Sequence, residues 1–204
     1  MFPVLALIMQ YAVHIEGMPE NYFVTLFSTM YMGMAPLISM ASILSEEKEN
    51  NTLRVLMMAN VKPWEYITGV SICTCLFYTA GTLMLAFTGG YRNGQLLLFI
   101  AVMEIGMTAS LFIGAAIGAA CQSQMKTTSI AVPAMMICAF LPMLSMFNKT
   151  IRDASGVVYS EQVSRILQNI QSPTDMAESI IIIAVNIFLA VCCFLYAYKK
   201  KTLV

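Results

Sequence analysis

Five apolar blocks, each about as long as a bilayer is thick, limit what this chain can fold into. A hydrocarbon core about 30 Å deep needs about 20 apolar residues at a helical rise of about 1.5 Å per residue. The blocks at 25–44, 67–88, 95–120, 128–147 and 179–198 meet that length. Their apolar residues run on continuously instead of recurring at amphipathic spacing, which marks helices surrounded by lipid and by one another. A transmembrane barrel needs alternating segments of about 10 residues, and the sequence has none. Composition agrees: 59% of residues are hydrophobic and 11% charged, against about 25% charged in a soluble domain. The expected fold is all-α, a single transmembrane domain over 1–204 built as a polytopic bundle of about six helices. The sixth is the stretch at 1–13, too short to cross alone. It has neither the basic flank nor the small-residue cleavage site of a signal peptide. It reads as the tail of a truncated first helix whose beginning lies outside this sequence.

Charge in the connections sets an orientation. Lys48, Arg54, Lys62, Lys126 and the run Lys199-Lys200-Lys201 fall on one side of such a bundle, and Arg92, Lys149, Arg152 and Arg165 on the other. The positive-inside rule then makes the 45–66 connection and the C-terminus cytoplasmic, and 148–178 an outer loop. Within that outer loop Val157, Val158, Val163, Ile166, Leu167 and Ile170 recur at roughly helical spacing. They predict a short amphipathic helix through Ser160–Gln171 lying on the outer face, capped by Ser160 and stopped by Pro173. Such a helix serves either as a cover over the helix ends or as a gate over an exit path. Thr174 and Asp175 are placed to cap the last span.

Several function classes drop out. Net charge is zero with no basic tract, so nucleic acid is not a partner. The six cysteines show no zinc-ligand spacing and read as free thiols. His14 is the sole histidine, with Glu16 two residues on, too few ligands for a metal site. No phosphate-binding loop (G-x-x-x-x-G-K-S/T) is present, and no nucleophile–base pair supports catalysis. The expectation is a non-enzyme that binds no cofactor or metal itself.

Two features inside the spans carry more information. Glu104 lies well within the apolar block 95–120, the fourth helix of the expected bundle. An ionisable group there is costly and is a pathway candidate by default. It either handles a proton or cation, as in an ion-coupled secondary transporter, or bonds to a hydroxyl of a neighbouring helix. Gly114-x-x-x-Gly118 makes a smooth strip that allows close helix packing, within the chain or between copies. Pro36, Pro133 and Pro142 fall inside spans, where proline bends helices.

The 45–66 connection is a charged island, Ser45-Glu46-Glu47-Lys48-Glu49-Asn50-Asn51-Thr52-Leu53-Arg54-Val55-Leu56-Met57-Met58-Ala59-Asn60-Val61-Lys62-Pro63-Trp64-Glu65-Tyr66. Asn51 and Thr52 can turn the chain and start a helix over Leu53–Ala59. Leu53, Leu56 and Met57 would share one face. Asn60 suits its end, Pro63 forbids continuation, and Trp64 is interfacial by preference. Glu47-Lys48-Glu49-x-Asn51-Thr52-Leu53-x-x-Leu56, then Val61-x-Pro63 and Gly69, resembles the first cytoplasmic loop of type-2 ABC transporter permeases. The likeness is specific over about 25 residues. Asn51 stands where the family has glycine, and Asn shares its access to left-handed backbone.

The resemblance implies a bacterial plasma-membrane exporter subunit whose island is a coupling helix docking a separate ATP-binding subunit. That role would fall on Thr52, Leu53, Leu56 and Met57, with Glu47 and Glu49 at its approach. It also implies a homodimeric or heterodimeric pair of permeases, with ATP and Mg held by the partner subunits. The cargo would be a drug, peptide or other amphipathic compound. The competing classes are the ion-coupled carrier using Glu104 and a non-transporting membrane scaffold or immunity protein.

Overall fold

A computed structural model describes residues 2–12, 21–52, 55, 58–60, 63–92, 94–170 and 176–201. Its helices are α1 (Phe2–Ala12), α2 (Tyr22–Glu49), α3 (Pro63–Thr88), α4 (Gly94–Ala120), α5 (Gln124–Phe147), α6 (Lys149–Ser155), α7 (Tyr159–Gln168) and α8 (Met176–Lys201). Five of these, α2, α3, α4, α5 and α8, are long and apolar enough to cross a membrane, and α1 is a shorter apolar helix. Each of the five long apolar blocks of the sequence lies within one of these long helices. Their ends run further, most visibly in α2, which continues through Ser45–Glu49. Glu and Lys are good helix formers, and nothing breaks the helix before the asparagine pair. The calls on His14, Glu16, Pro173, Thr174 and Asp175 lie outside the described residues.

The long helices alternate in direction, so the bundle has two ends. One, the island end, carries the close of α2, the start of α3, the α4–α5 turn and the close of α8. The other, the hairpin end, carries the 88–94 connection and α6–α7. α2 is the central helix, packed on α1, α3, α4, α5 and α7. Its apolar window is 61% buried, against 17% for α8 at the rim.

Small residues let α4 reach α2. A Cβ on Gly114 would strike the Leu37 carbonyl oxygen and stand 3.1 Å from Leu37 Cα; on Gly118 it would stand 2.9 Å from the Ala41 carbonyl oxygen. Gly106 lies just as tightly against Met32. Gly106, Ser110, Gly114 and Gly118 thus form a ladder at four-residue spacing along the α2 face, longer than the Gly114–Gly118 pair alone. Gly33 of α2 makes the corresponding approach to α5, where an added Cβ would stand 3.1 Å from the Cys138 backbone.

Ser110 also repairs a defect. Pro36 has no N–H, so the Met32 carbonyl one turn earlier loses its helical donor. Ser110 Oγ donates to that carbonyl at 2.7 Å. Its single proton spent there, Ser110 accepts from the Tyr159 hydroxyl at 2.8 Å. Ser110 lies just past the middle of α4, so Tyr159 sits deep between the long helices.

That depth corrects the expected surface helix. α6 and α7 form a helical hairpin that dips into the bundle, and α7 is packed on α2, α4, α5 and α8. Tyr159, Glu161, Gln162, Val163, Ile166 and Leu167 are buried. Val158, not Ser160, is the residue before the helix, and no side chain caps it there. α6 was not anticipated; Asn148 caps it, accepting from the Thr150 N–H at 2.9 Å.

A turn packed among apolar spans needs hydrogen-bond partners for its carbonyls. Here side chains serve them. Asn186 Nδ2 donates to the Val157 carbonyl at 2.8 Å, Gln162 Nε2 to the Gly156 carbonyl, and Arg165 Nη2 to the Arg152 carbonyl at 2.8 Å. Glu161, 2% exposed, is neutralised by Arg165 Nε at 3.1 Å and bonded by Ser145 Oγ at 2.6 Å. Ser179 Oγ completes Gln162 at 2.8 Å.

Candidate functional site

The island end is where the sequence placed its docking surface. α2 stops because Asn51 adopts the left-handed backbone, φ 58°, a conformation asparagine tolerates better than most residues. The N–H of Asn50 closes on the Glu46 carbonyl at 2.9 Å and that of Asn51 on the Lys48 carbonyl at 3.2 Å. Beyond the turn, Val55 N–H bonds to Asn51 O at 3.2 Å and Ala59 N–H to Val55 O at 3.0 Å. These are helical spacings, and Thr52, Val55 and Met58 have helical backbone. Asn60 is left-handed again, φ 65°, before Pro63 opens α3.

Of the six docking candidates, Thr52 is exposed, and Leu53, Leu56 and Met57 lie outside the described residues. Val55 and Met58, which the sequence reading did not single out, are 57% and 73% exposed. Apolar side chains turned outward at this end of the bundle invite a partner or the membrane surface. Their presence was legible as part of the apolar run Val55–Met58, but their direction was not.

Glu47 and Glu49 are occupied differently. A Glu47 carboxylate oxygen and the Tyr66 hydroxyl are both buried with no hydrogen-bond partner among the described residues. Glu49 Oε2 accepts from the Gln124 N–H at 2.8 Å. Gln124 is the first residue of α5, whose preceding Ser123 makes no side-chain cap. Glu49 therefore does the capping from another helix, placing a negative charge at a positive dipole end. One residue earlier, Lys48 Nζ donates to the Ala119 carbonyl at 2.6 Å. That carbonyl is among the last four of α4, which have no helical donor, and a cation there complements the negative end of the dipole.

Glu104 is partly buried where α3 meets α4. Thr79 Oγ1 lies 2.8 Å from its Oε1, with Ser39, Tyr78 and Tyr31 forming a polar chain close by: Tyr78 bonds to the Ser39 hydroxyl and Tyr31 OH to the Tyr78 carbonyl at 3.2 Å. Gly114 and Gly118 are internal packing positions against α2. Among the described residues no group of three or more His, Cys, Asp or Glu is placed to hold a metal, and the six cysteines are free thiols.

Five apolar spans with a hairpin packed among them define a multi-pass membrane protein. A family model described as ABC-2 family transporter protein matches residues 10–199. The chain belongs to that family of transporter permeases. A search of curated proteins finds no match.

Proposed function

We propose that the chain is the permease subunit of an ATP-driven exporter, docking a separate ATP-binding subunit through its island. The observation that carries this reading is the island itself. It is a helical segment bounded by two left-handed asparagines, with Val55 and Met58 exposed, in a chain of the ABC-2 family that has no nucleotide-binding loop in its sequence. The docking surface falls on Thr52, Leu53, Leu56 and Met57, extended by Val55 and Met58. Glu47 and Glu49 belong to its approach, not to the contact surface.

ATP and Mg are then held by the partner, and this chain performs no hydrolysis. Two permeases, identical or different, pair in a bacterial plasma membrane with the island and C-terminus cytoplasmic. The apolar, Met-rich spans favour an amphipathic cargo such as a drug or peptide over a sugar chain. For Glu104 the Thr79 bond favours a structural role over ion coupling.

Mild-detergent purification of the tagged full-length protein from its native membrane tests this. An ATPase co-purifies with the wild type and is lost when Leu53 and Leu56 are both changed to Asp. Absence of an ATPase from both samples contradicts the reading and returns weight to an ion-coupled carrier.

A further inference from the structure

We propose that Lys48 and Glu49 are positioning residues that make the start of α5 follow the island. The inference rests on the permease reading above and adds the route by which docking reaches the pathway.

The geometry is specific. The α4–α5 turn joins two dipole ends of opposite sign: the close of α4 is negative and the start of α5 positive. Adjacent residues of opposite charge at the end of α2 meet them in matching order, Lys48 on the Ala119 carbonyl at 2.6 Å and Glu49 on the Gln124 N–H at 2.8 Å. Both bonds are charge-assisted. They join residues 71 and 75 positions apart in the chain, so they are tertiary links and not local turn chemistry. The turn offers no substitute: Ser123 leaves its capping position unused, and Lys126 puts a positive charge near the same helix start.

On the other side of Glu49 the chain passes within three residues into the helical part of the island. A displacement of the island is therefore transmitted to the end of α2 through the backbone, and from there to the start of α5 through these two bonds. α5 is held to α2 by the close backbone contact at Gly33, far along the helix from the turn. Thr127 and Ala131 are also buried near its start, but without the two bonds its first turn has no polar tie to the end of α2.

Hydrogen exchange on the full-length protein co-purified with its ATPase, in lipid nanodiscs, tests the link. Exchange is compared without nucleotide and after trapping with Mg-ATP and vanadate. In the wild type, trapping changes exchange at 50–60 and at 121–128. Glu49→Ala, which removes the acceptor for the Gln124 N–H, keeps the change at 50–60 and loses it at 121–128. Because that variant also uncaps α5, a second one adds Ser123→Asp, which supplies a local cap. The double variant regains the resting protection of 121–128 but not its response to trapping.

A response at 121–128 that persists in Glu49→Ala, or returns with Ser123→Asp, overturns the proposal and leaves Glu49 a helix cap. A wild type that responds at 50–60 alone overturns it too, with the permease reading intact. A wild type that responds at neither segment removes that reading and the link with it.

Discussion

Pro36 costs the bundle a backbone hydrogen bond at its centre, and Ser110 restores it from another helix while holding Tyr159. One hydroxyl thus serves α2, α4 and α7. Ser110→Ala strands the Met32 carbonyl and takes away the Tyr159 hydroxyl's bond to Ser110, and leaving a buried polar group unpaired costs about 1–3 kcal/mol. Thermal unfolding in detergent should show that loss, and combining Ser110→Ala with Tyr159→Phe should cost less than the sum of the two. Strict additivity would mean the Tyr159–Ser110 bond carries no weight. Glu104 is read differently: a glutamine oxygen accepts from Thr79 as well as a carboxylate does. Glu104→Gln should leave folding and transport-linked ATP hydrolysis in place, and loss of activity in a well-folded variant would restore Glu104 as an ion-coupling group.

At the level of elements, the close approach of α4 to α2 depends on having no side chain at the ladder positions. Gly114→Ala drives a methyl into the Leu37 backbone, which cannot yield as a side-chain tip would. Overpacking of this kind costs about 1–3 kcal/mol. Gly69→Ala, with nothing within 4 Å of the added Cβ, is the matched control and should be neutral or slightly stabilising, since alanine is the better helix former. Equal melting temperatures for the two variants would contradict the packing described.

The long helices were legible because span length and unbroken hydropathy are properties of consecutive residues. So was the island, through its charges, its asparagines and Pro63. The hairpin was misjudged for a physical reason. The Val163, Ile166, Leu167 and Ile170 stripe reads as one wet and one dry face, yet the polar face is also buried. Glu161 and Gln162 find local partners in Arg165 and Gly156, but the bonds that hold them inside come from Ser145 and Ser179, which only the tertiary fold brings near. The roles of Lys48 and Glu49 were hidden in the same way. The family resemblance put Glu49 at a docking approach and Lys48 counted only as an inside charge, while their bonds to Ala119 and Gln124 depend on how α2 meets a turn far along the chain. The ladder on α4 was the missed signal that the sequence did contain, since Gly106 and Ser110 continue the Gly114–Gly118 spacing.

For the whole molecule, the two ends are built for different work. The hairpin end is held to the bundle by buried side-chain bonds, Ser145 to Glu161 and Ser179 to Gln162, which favours a fixed seal over a loose lid. The island end exposes apolar side chains and ties its base to the α4–α5 turn. A chain of the ABC-2 family arranged this way is proposed to be half of a pathway, driven from the island end by subunits it does not itself contain. Native mass spectrometry of the complex released gently from its own membrane tests that claim most directly. The account predicts an assembly of two permease chains with two ATP-binding subunits, which loses the ATP-binding subunits when Leu53 and Leu56 are changed to Asp. A wild-type chain that flies alone, or only with copies of itself while remaining active in transport, would contradict it.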